Sequence, residues 1–132
     1  METTILLDRH LEGYDEFLQV GLREIGWDDL LTIKYAWLRD FGLPDNYPDQ
    51  DIWRFVQQRG FLLVTSNRNN KDETSLTATI QRENTPDSLP VVTIPQAGRL
   101  AEPDYRQRVV EKLVEIIITS ENYRGTGRIF IS

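Results

Sequence analysis

The chain contains Phe61-Leu62-Leu63-Val64-Thr65, an uninterrupted apolar run that ends in a threonine. A strand with one face in water alternates apolar and polar residues, whereas a strand that is buried on both faces is apolar throughout. Gly60 stands directly before the run, and the polar sequence 66–70 follows it. Because helices commonly end at a glycine, a helix is expected to lead into this strand. The run therefore predicts a central strand of a parallel sheet with helices on both faces.

Strand and helix patterns alternate outward from this run. Strands are predicted over residues 4–7, 30–37, 61–65, 91–94 and 128–131, and helices over residues 11–25, 49–60, 74–83 and 104–119. The connections between strands are long enough to hold a crossover helix, which parallel neighbours require. We therefore expect an α/β fold, a three-layer α/β/α sandwich with a mainly parallel sheet of four to five strands, built by residues 1–132 as a single domain.

Composition excludes several classes of protein. The apolar runs are far shorter than the roughly 20 residues that cross a bilayer, so no contact with a membrane is expected. The absence of cysteine excludes disulfides, thiolate metal sites and cysteine nucleophiles, and it fits a cytoplasmic location. A net charge of -6 argues against a protein that coats nucleic acid non-specifically, since such binding needs many lysines and arginines. No glycine-rich phosphate loop follows the first strand, which argues against a nucleotide-binding domain.

Polar residues follow the predicted strands at their carboxyl ends, where open parallel sheets bind ligands. Asp8 follows the first strand, Asn67 and Asn69 follow the third, and Asp49 begins the helix between the second and third strands. Oxygen ligands that meet at one edge can bind magnesium, and a bound metal ion activates water for phosphodiester cleavage. Asp49 is explained equally well as a helix N-cap, and His10 is better explained as a capping or solvated residue than as a base. Positive charge around a phosphate would come from Arg9, Arg68, Lys71 and Arg99.

Three short motifs resemble a compact prokaryotic branch of the PIN-like family, whose relatives include the VapC-type toxin ribonucleases. The first motif is LLDRHL at residues 6–11, and the second is PDQDI at residues 48–52. The third is LVTSNRN at residues 63–69, which aligns with a strand of the type L-V-T-x-D-x-D. The resemblance covers nearly the whole chain.

The resemblance implies a PIN-like domain that acts as a magnesium- or manganese-dependent ribonuclease of the toxin-antitoxin type. By this match the metal ligands are Asp8, Asp49, Asn67 and Asn69, and the first three of them are the catalytic residues. Arg9, Arg68 and Lys71 would contact the RNA substrate. The implied protein partner is antitoxin-like, and a homodimer is compatible with the sequence.

Two residues depart from the family pattern. Asn67 and Asn69 stand where the family usually has aspartates, and an amide oxygen brings no negative charge to a cation. A pair of unit charges ~4 Å apart interacts by roughly 4 kcal/mol at an effective dielectric constant of ~20, and a divalent ion doubles this energy before desolvation. Three alternatives follow: weak metal binding, compensation by Asp51 or Asp72, or an inactive module that binds a partner protein or nucleic acid.

Overall fold

The computed structural model of the chain describes residues 2–66 and 75–131. Strands and helices alternate along these residues, with short 3-10 turns after three of the strands. The strands are β1 (Glu2–Leu7), β2 (Thr32–Ala36), β3 (Leu62–Thr65), β4 (Val91–Thr93) and β5 (Arg128–Phe130). The helices are α1 (Asp15–Glu24), α2 (Asp49–Arg59), α3 (Leu76–Glu83), α4 (Pro103–Ile118) and the short α5 (Ser120–Tyr123). The 3-10 turns are Arg9–Leu11, Leu38–Phe41 and Ala97–Ala101.

The five strands form one sheet in the order β2-β1-β3-β4-β5, and every neighbouring pair is parallel. β3 is the middle strand, as the apolar run at residues 61–65 predicts. β1 lies between β2 and β3. The chain therefore goes from β1 to β2 on one side, and then crosses back past β1 to form β3 on the other side. The order reverses between β1 and β3, and ligands of open parallel sheets bind at such a point, beyond the carboxyl ends of the strands.

Two layers of helices cover the sheet, and this confirms the predicted three-layer α/β/α architecture. Leu62 and Val64 of β3 pack into an apolar cluster with α1 and α4 on one face. Leu63, between them, packs into a second cluster with α2 and α3 on the other face. Successive side chains of a strand point to opposite faces, so a strand that is covered on both sides must be apolar at every position. This double burial explains the uninterrupted apolar run at residues 61–65.

One crossover connection has the opposite hand to the other three. The connection from β1 to β2 runs toward one end of the strand order, and its helix lies on the face of the sheet that α1 covers. The connections from β2 to β3 and from β3 to β4 run toward the other end, and their helices, α2 and α3, lie on the opposite face. These three connections share one hand. The step from β4 to β5 continues in the second direction, but α4 lies on the face of α1. Because crossovers between parallel strands are right-handed in about 98% of cases, β4-α4-β5 is the exceptional, left-handed connection.

The structure corrects two of the predicted helix starts. The segment predicted as one helix over residues 11–25 is a 3-10 turn followed by α1, and Gly13 between them has a φ of 89° that breaks the helical path. Asp49 is not the N-cap of α2. Pro48 holds that position, because its φ of -62° and ψ of 145° already lie in the extended region that a cap requires, and Asp49 is the first helical residue. The start of the helix predicted at residue 74 lies outside the described residues, and α3 begins at Leu76.

Among the described residues, no helix has the length and apolar character needed to cross a membrane.

Candidate functional site

Asp8 is fixed at the carboxyl end of β1, against the end of the neighbouring strand β3. Its backbone amide donates to the carbonyl of Val64 at 3.2 Å, which continues the pairing of the two strands by one residue. One carboxylate oxygen accepts from the amide of His10 at 2.8 Å, and the other accepts from the hydroxyl of Thr65, the last residue of β3. The side chain of Asp8 is 15% exposed, so this carboxylate is anchored on both oxygens and still reaches the surface.

His10 lies beside this carboxylate. Its imidazole Nδ1 is 3.6 Å from Oδ1 of Asp8, and 52% of the side chain is exposed. The contact is an ion pair when the imidazole is protonated, but the shorter bond to Asp8 comes from the backbone amide of His10. His10 therefore closes the 3-10 turn after β1, as its interpretation as a capping or solvated residue suggests.

Asp49 lies in the first turn of α2 and reaches the amino end of the neighbouring helix α3. Its Oδ2 accepts a hydrogen bond from the amide of Leu76 at 3.1 Å. Ser75 is the N-cap of the same helix, with its hydroxyl accepting from the amide of Ala78 at 3.3 Å. Two side chains thus satisfy amides of the first turn of α3, and a carboxylate at this end of a helix is also favoured by the helix dipole.

These contacts place Asp8 and Asp49 at the two ends of one connection. Asp8 is bonded to Thr65, where β3 ends, and Asp49 is bonded to Leu76, where α3 begins. The two carboxylates therefore flank residues 66–75, although they come from distant parts of the sequence. The other predicted site residues on this connection lie outside the described residues: Asn67, Arg68, Asn69, Lys71 and Asp72.

Asp51 belongs to another ion-pair network, and Arg9 lies beside a cleft at the end of β2. Asp51 is 3.9 Å from a guanidinium nitrogen of Arg54, and Arg54 also forms a bidentate contact with Glu83 at 2.8 and 2.9 Å. Hydrogen bonding from Arg54 lowers the pKa of Glu83 below its ordinary value. Arg9 is exposed, and it lines a small cleft beside Trp37, at the end of β2. Neither side chain forms a contact with Asp8 or Asp49 among those that the structure describes.

A row of polar side chains extends the site along the carboxyl ends of the strands, and it was not predicted from the sequence. Thr65 and Thr93 end β3 and β4, and both are buried on the face of α2 and α3. Arg128 of β5 donates to the hydroxyl of Thr93 at 2.9 Å and to that of Thr77 on α3 at 2.6 Å. The sequence signal was a threonine at the end of each of two apolar strands, which marks the polar tip of a parallel strand.

The donor set suits a hydrated divalent cation. Mg²⁺ commonly keeps several waters and takes one or two carboxylates from the protein, together with phosphate oxygens of a substrate. Asp8 and Asp49 can supply that number of carboxylates. No group of three or more acidic, histidine or cysteine side chains able to hold a metal lies within residues 2–66 and 75–131.

Comparisons of the chain with models of protein families, with curated proteins and with solved structures found no match.

Proposed function

We propose that the carboxyl edge around Asp8 and Asp49 is a magnesium- or manganese-assisted phosphodiester site, and that the protein is a PIN-like ribonuclease of the toxin-antitoxin type that acts in the cytoplasm. The observation that carries the proposal is the convergence of the two carboxylates on the ends of the β3–α3 connection. This connection follows the strand beside the point where the strand order reverses, the usual ligand position in such sheets.

Each residue has a role that follows from its position. Asp8 is pre-oriented by Thr65 and His10, so its carboxylate needs little reorganisation to bind a cation. Asp49 would add a second negative charge from the opposite end of the connection. A bound divalent ion would supply the activation of water and the stabilisation of charge on the phosphoryl oxygens. In this proposal Asn67 and Asn69 complete the set of oxygen ligands, and Arg9, Arg68 and Lys71 bind phosphates of the RNA.

A second candidate is a non-catalytic module with the same architecture, which binds a partner protein such as an antitoxin, or a nucleic acid. The hydrogen bonds themselves favour it, because each carboxylate already has a structural task. Asp8 closes a turn and joins two strands, whereas Asp49 caps the amide of Leu76. Both tasks would keep the aspartates in place without a metal ion.

Thermal unfolding with and without millimolar Mn²⁺ separates the two candidates. A ligand that binds only the folded state at 100 times its Kd adds about 2.7 kcal/mol of stability. For a domain of this size the melting temperature should then rise by about 10 °C. Asp8→Asn and Asp49→Asn should each remove most of this rise, and RNA cleavage in Mn²⁺ should fall with it.

Asp87→Asn is the matched control. Asp87 is exposed in the loop between α3 and β4, at the opposite end of the strands, and the substitution changes the net charge by the same amount. It should keep the full response to Mn²⁺. A wild-type protein with no rise in melting temperature and no cleavage of RNA would eliminate the metal-dependent site and leave the binding module.

A further inference from the structure

A cavity of about 190 Å³ lies at the amino ends of the strands. Thr3 and Leu62 line it from the beginnings of β1 and β3, and Pro90 lines it directly before β4. Asp8 follows the carboxyl end of β1, so the length of the strands separates this cavity from the proposed phosphodiester site. A ligand in the cavity would therefore bind independently of a metal ion at the carboxyl edge.

The inner wall of the cavity is apolar. It is formed by Leu62, Ile116 and Ile117, which are buried members of the apolar cluster on the face of α1 and α4. Arg124, which is exposed, lines the same cavity, so the cavity opens to the surface. An apolar cavity of about 150 Å³ is large enough to bind benzene. The space here thus fits a ligand body of about six carbon atoms.

Arg124 supplies a positive charge to the cavity, and its position is fixed. Its Nη1 donates to the carbonyl of Asp87 at 2.7 Å, and the amide of Gly125 donates to the carbonyl of Ser88 at 2.9 Å. The carbonyl of Gly125 in turn accepts from Nδ2 of Asn84 at 2.9 Å. These bonds tie the segment to the loop between α3 and β4. Within the part of the chain that the structure describes, no carboxylate forms an ion pair with Arg124.

Gln57 of α2 fixes another wall of the cavity. Its Nε2 donates to the carbonyl of Leu89 at 2.9 Å, and its Oε1 accepts from the amide of Leu89 at 2.9 Å. Leu89 lines the cavity together with Arg124, and Ser120 adds a hydroxyl. Small-molecule sites are typically apolar clefts with a few fixed polar groups, and groups that are fixed beforehand lose little entropy on binding.

We propose that this cavity binds a small monocarboxylate with an apolar body of about six carbon atoms. The carboxylate accepts hydrogen bonds from the guanidinium of Arg124 and the hydroxyl of Ser120, while the apolar body contacts Ile116 and Ile117. A guanidinium suits this headgroup because its planar donors match the two oxygens of a carboxylate. The volume is sufficient for one such molecule and too small for a peptide chain or a lipid tail.

An NMR titration of the full chain with benzoate tests the proposal, because amide shifts report both the affinity and the place of binding. Benzoate should shift the amides of Leu89, Ser120 and Arg124 in a saturable manner. Benzyl alcohol has the same ring without the charge, and it should bind about ten-fold or more weakly, since hydrogen bonds to charged groups are the stronger ones. Benzylamine, whose charge is reversed, should bind more weakly still.

Two variants separate the charge of the cavity from its apolar wall. Arg124→Gln should weaken the binding of benzoate about ten-fold or more and leave that of benzyl alcohol nearly unchanged, because the wall is kept. Ser120→Phe should abolish the binding of both ligands, since the ring occupies the cavity. Arg108→Gln is the matched control: Arg108 is exposed on α4 and does not line the cavity, and the change in net charge is the same.

Three results would overturn the proposal. One is the absence of saturable shifts with millimolar benzoate. Another is equal affinity for benzoate in the wild type and in an Arg124→Gln protein whose spectrum shows a native fold. The third is a set of shifts centred on the carboxyl ends of the strands, around Asp8. None of these results depends on Mn²⁺, so the failure of this proposal and the failure of the metal-dependent site are distinguishable.

Discussion

Gly21 controls how closely α1 approaches α4. It lies on the face of α1 that meets α4, and a Cβ atom built there would be 2.6 Å from Cγ2 of Val110 and 3.1 Å from Cγ of Arg106. The first distance is far below a normal van der Waals contact, so Gly21→Ala must push the helices apart or move Val110. Overpacking of this kind costs about 1–3 kcal/mol, and the better helix propensity of alanine returns about 1 kcal/mol. Because the 2.6 Å contact places this site in the upper part of that range, at about 2–3 kcal/mol, we expect a net destabilisation of roughly 1–2 kcal/mol.

Urea denaturation at equilibrium measures this change directly. Gly98→Ala is the matched control, because Gly98 has a negative φ and no atom within 4 Å of its added Cβ. It should leave stability unchanged within about 0.5 kcal/mol. Val110→Ala should relieve the clash, so Gly21→Ala should cost at least about 1 kcal/mol less in that background. Two results would refute the close contact between Gly21 and Val110 as the cause of destabilisation. One is a Gly21→Ala protein as stable as the parent, and the other is an equal loss of stability from Gly21→Ala in the wild-type and Val110→Ala backgrounds.

Two further predictions concern polar contacts. Arg106 donates to both carboxylate oxygens of Glu24, at 2.7 and 2.8 Å, and this hydrogen bonding lowers the pKa of Glu24 below its ordinary value of 4.5. A lowered pKa in the folded state stabilises the protein above pH 4.5, and this contribution is lost as the pH falls through the folded-state value. Glu24→Gln should therefore flatten the acid side of a stability–pH curve from urea denaturation, and an unchanged slope would contradict the role of this pair. Ser75→Ala should destabilise the protein by about 1 kcal/mol through loss of the cap on the amide of Ala78, whereas Ser75→Asp should retain stability in the same assay.

The apolar patterns were sufficient to predict the layers of the fold. Residues 61–65 predicted the central strand, because a strand that is buried on both faces is apolar at every position and does not alternate apolar with polar residues. The hand of the last crossover was not predictable in this way. It depends on which face α4 covers, and a helix with a strong apolar stripe can dock on either face of a sheet. Right-handed connections are the general expectation, whereas here α4 packs against α1, with Val110 next to Gly21.

The candidate site was predictable in part. Asp8 and Asp49 stood out because strand ends and helix starts meet at one edge of a parallel sheet, and their hydrogen bonds to Thr65 and Leu76 lie at the two ends of one connection. Arg128 was not predicted, because it lies at the beginning of a strand rather than at its end. It reaches the edge through a long side chain that extends to Thr93, and this reach depends on the register of β4 with β5.

The position of α4 also matters while the protein is being synthesised. Tyr105, Val109, Val110 and Leu113 of α4 provide much of the apolar cover for the face that α1 covers only in part. The strands β1, β3 and β4 precede this helix in the chain, so a nascent chain that has emerged as far as β4 exposes one side of its central sheet to solvent. That surface is sheltered once α4 has left the ribosome, and until then the growing chain is open to aggregation and to binding by chaperones.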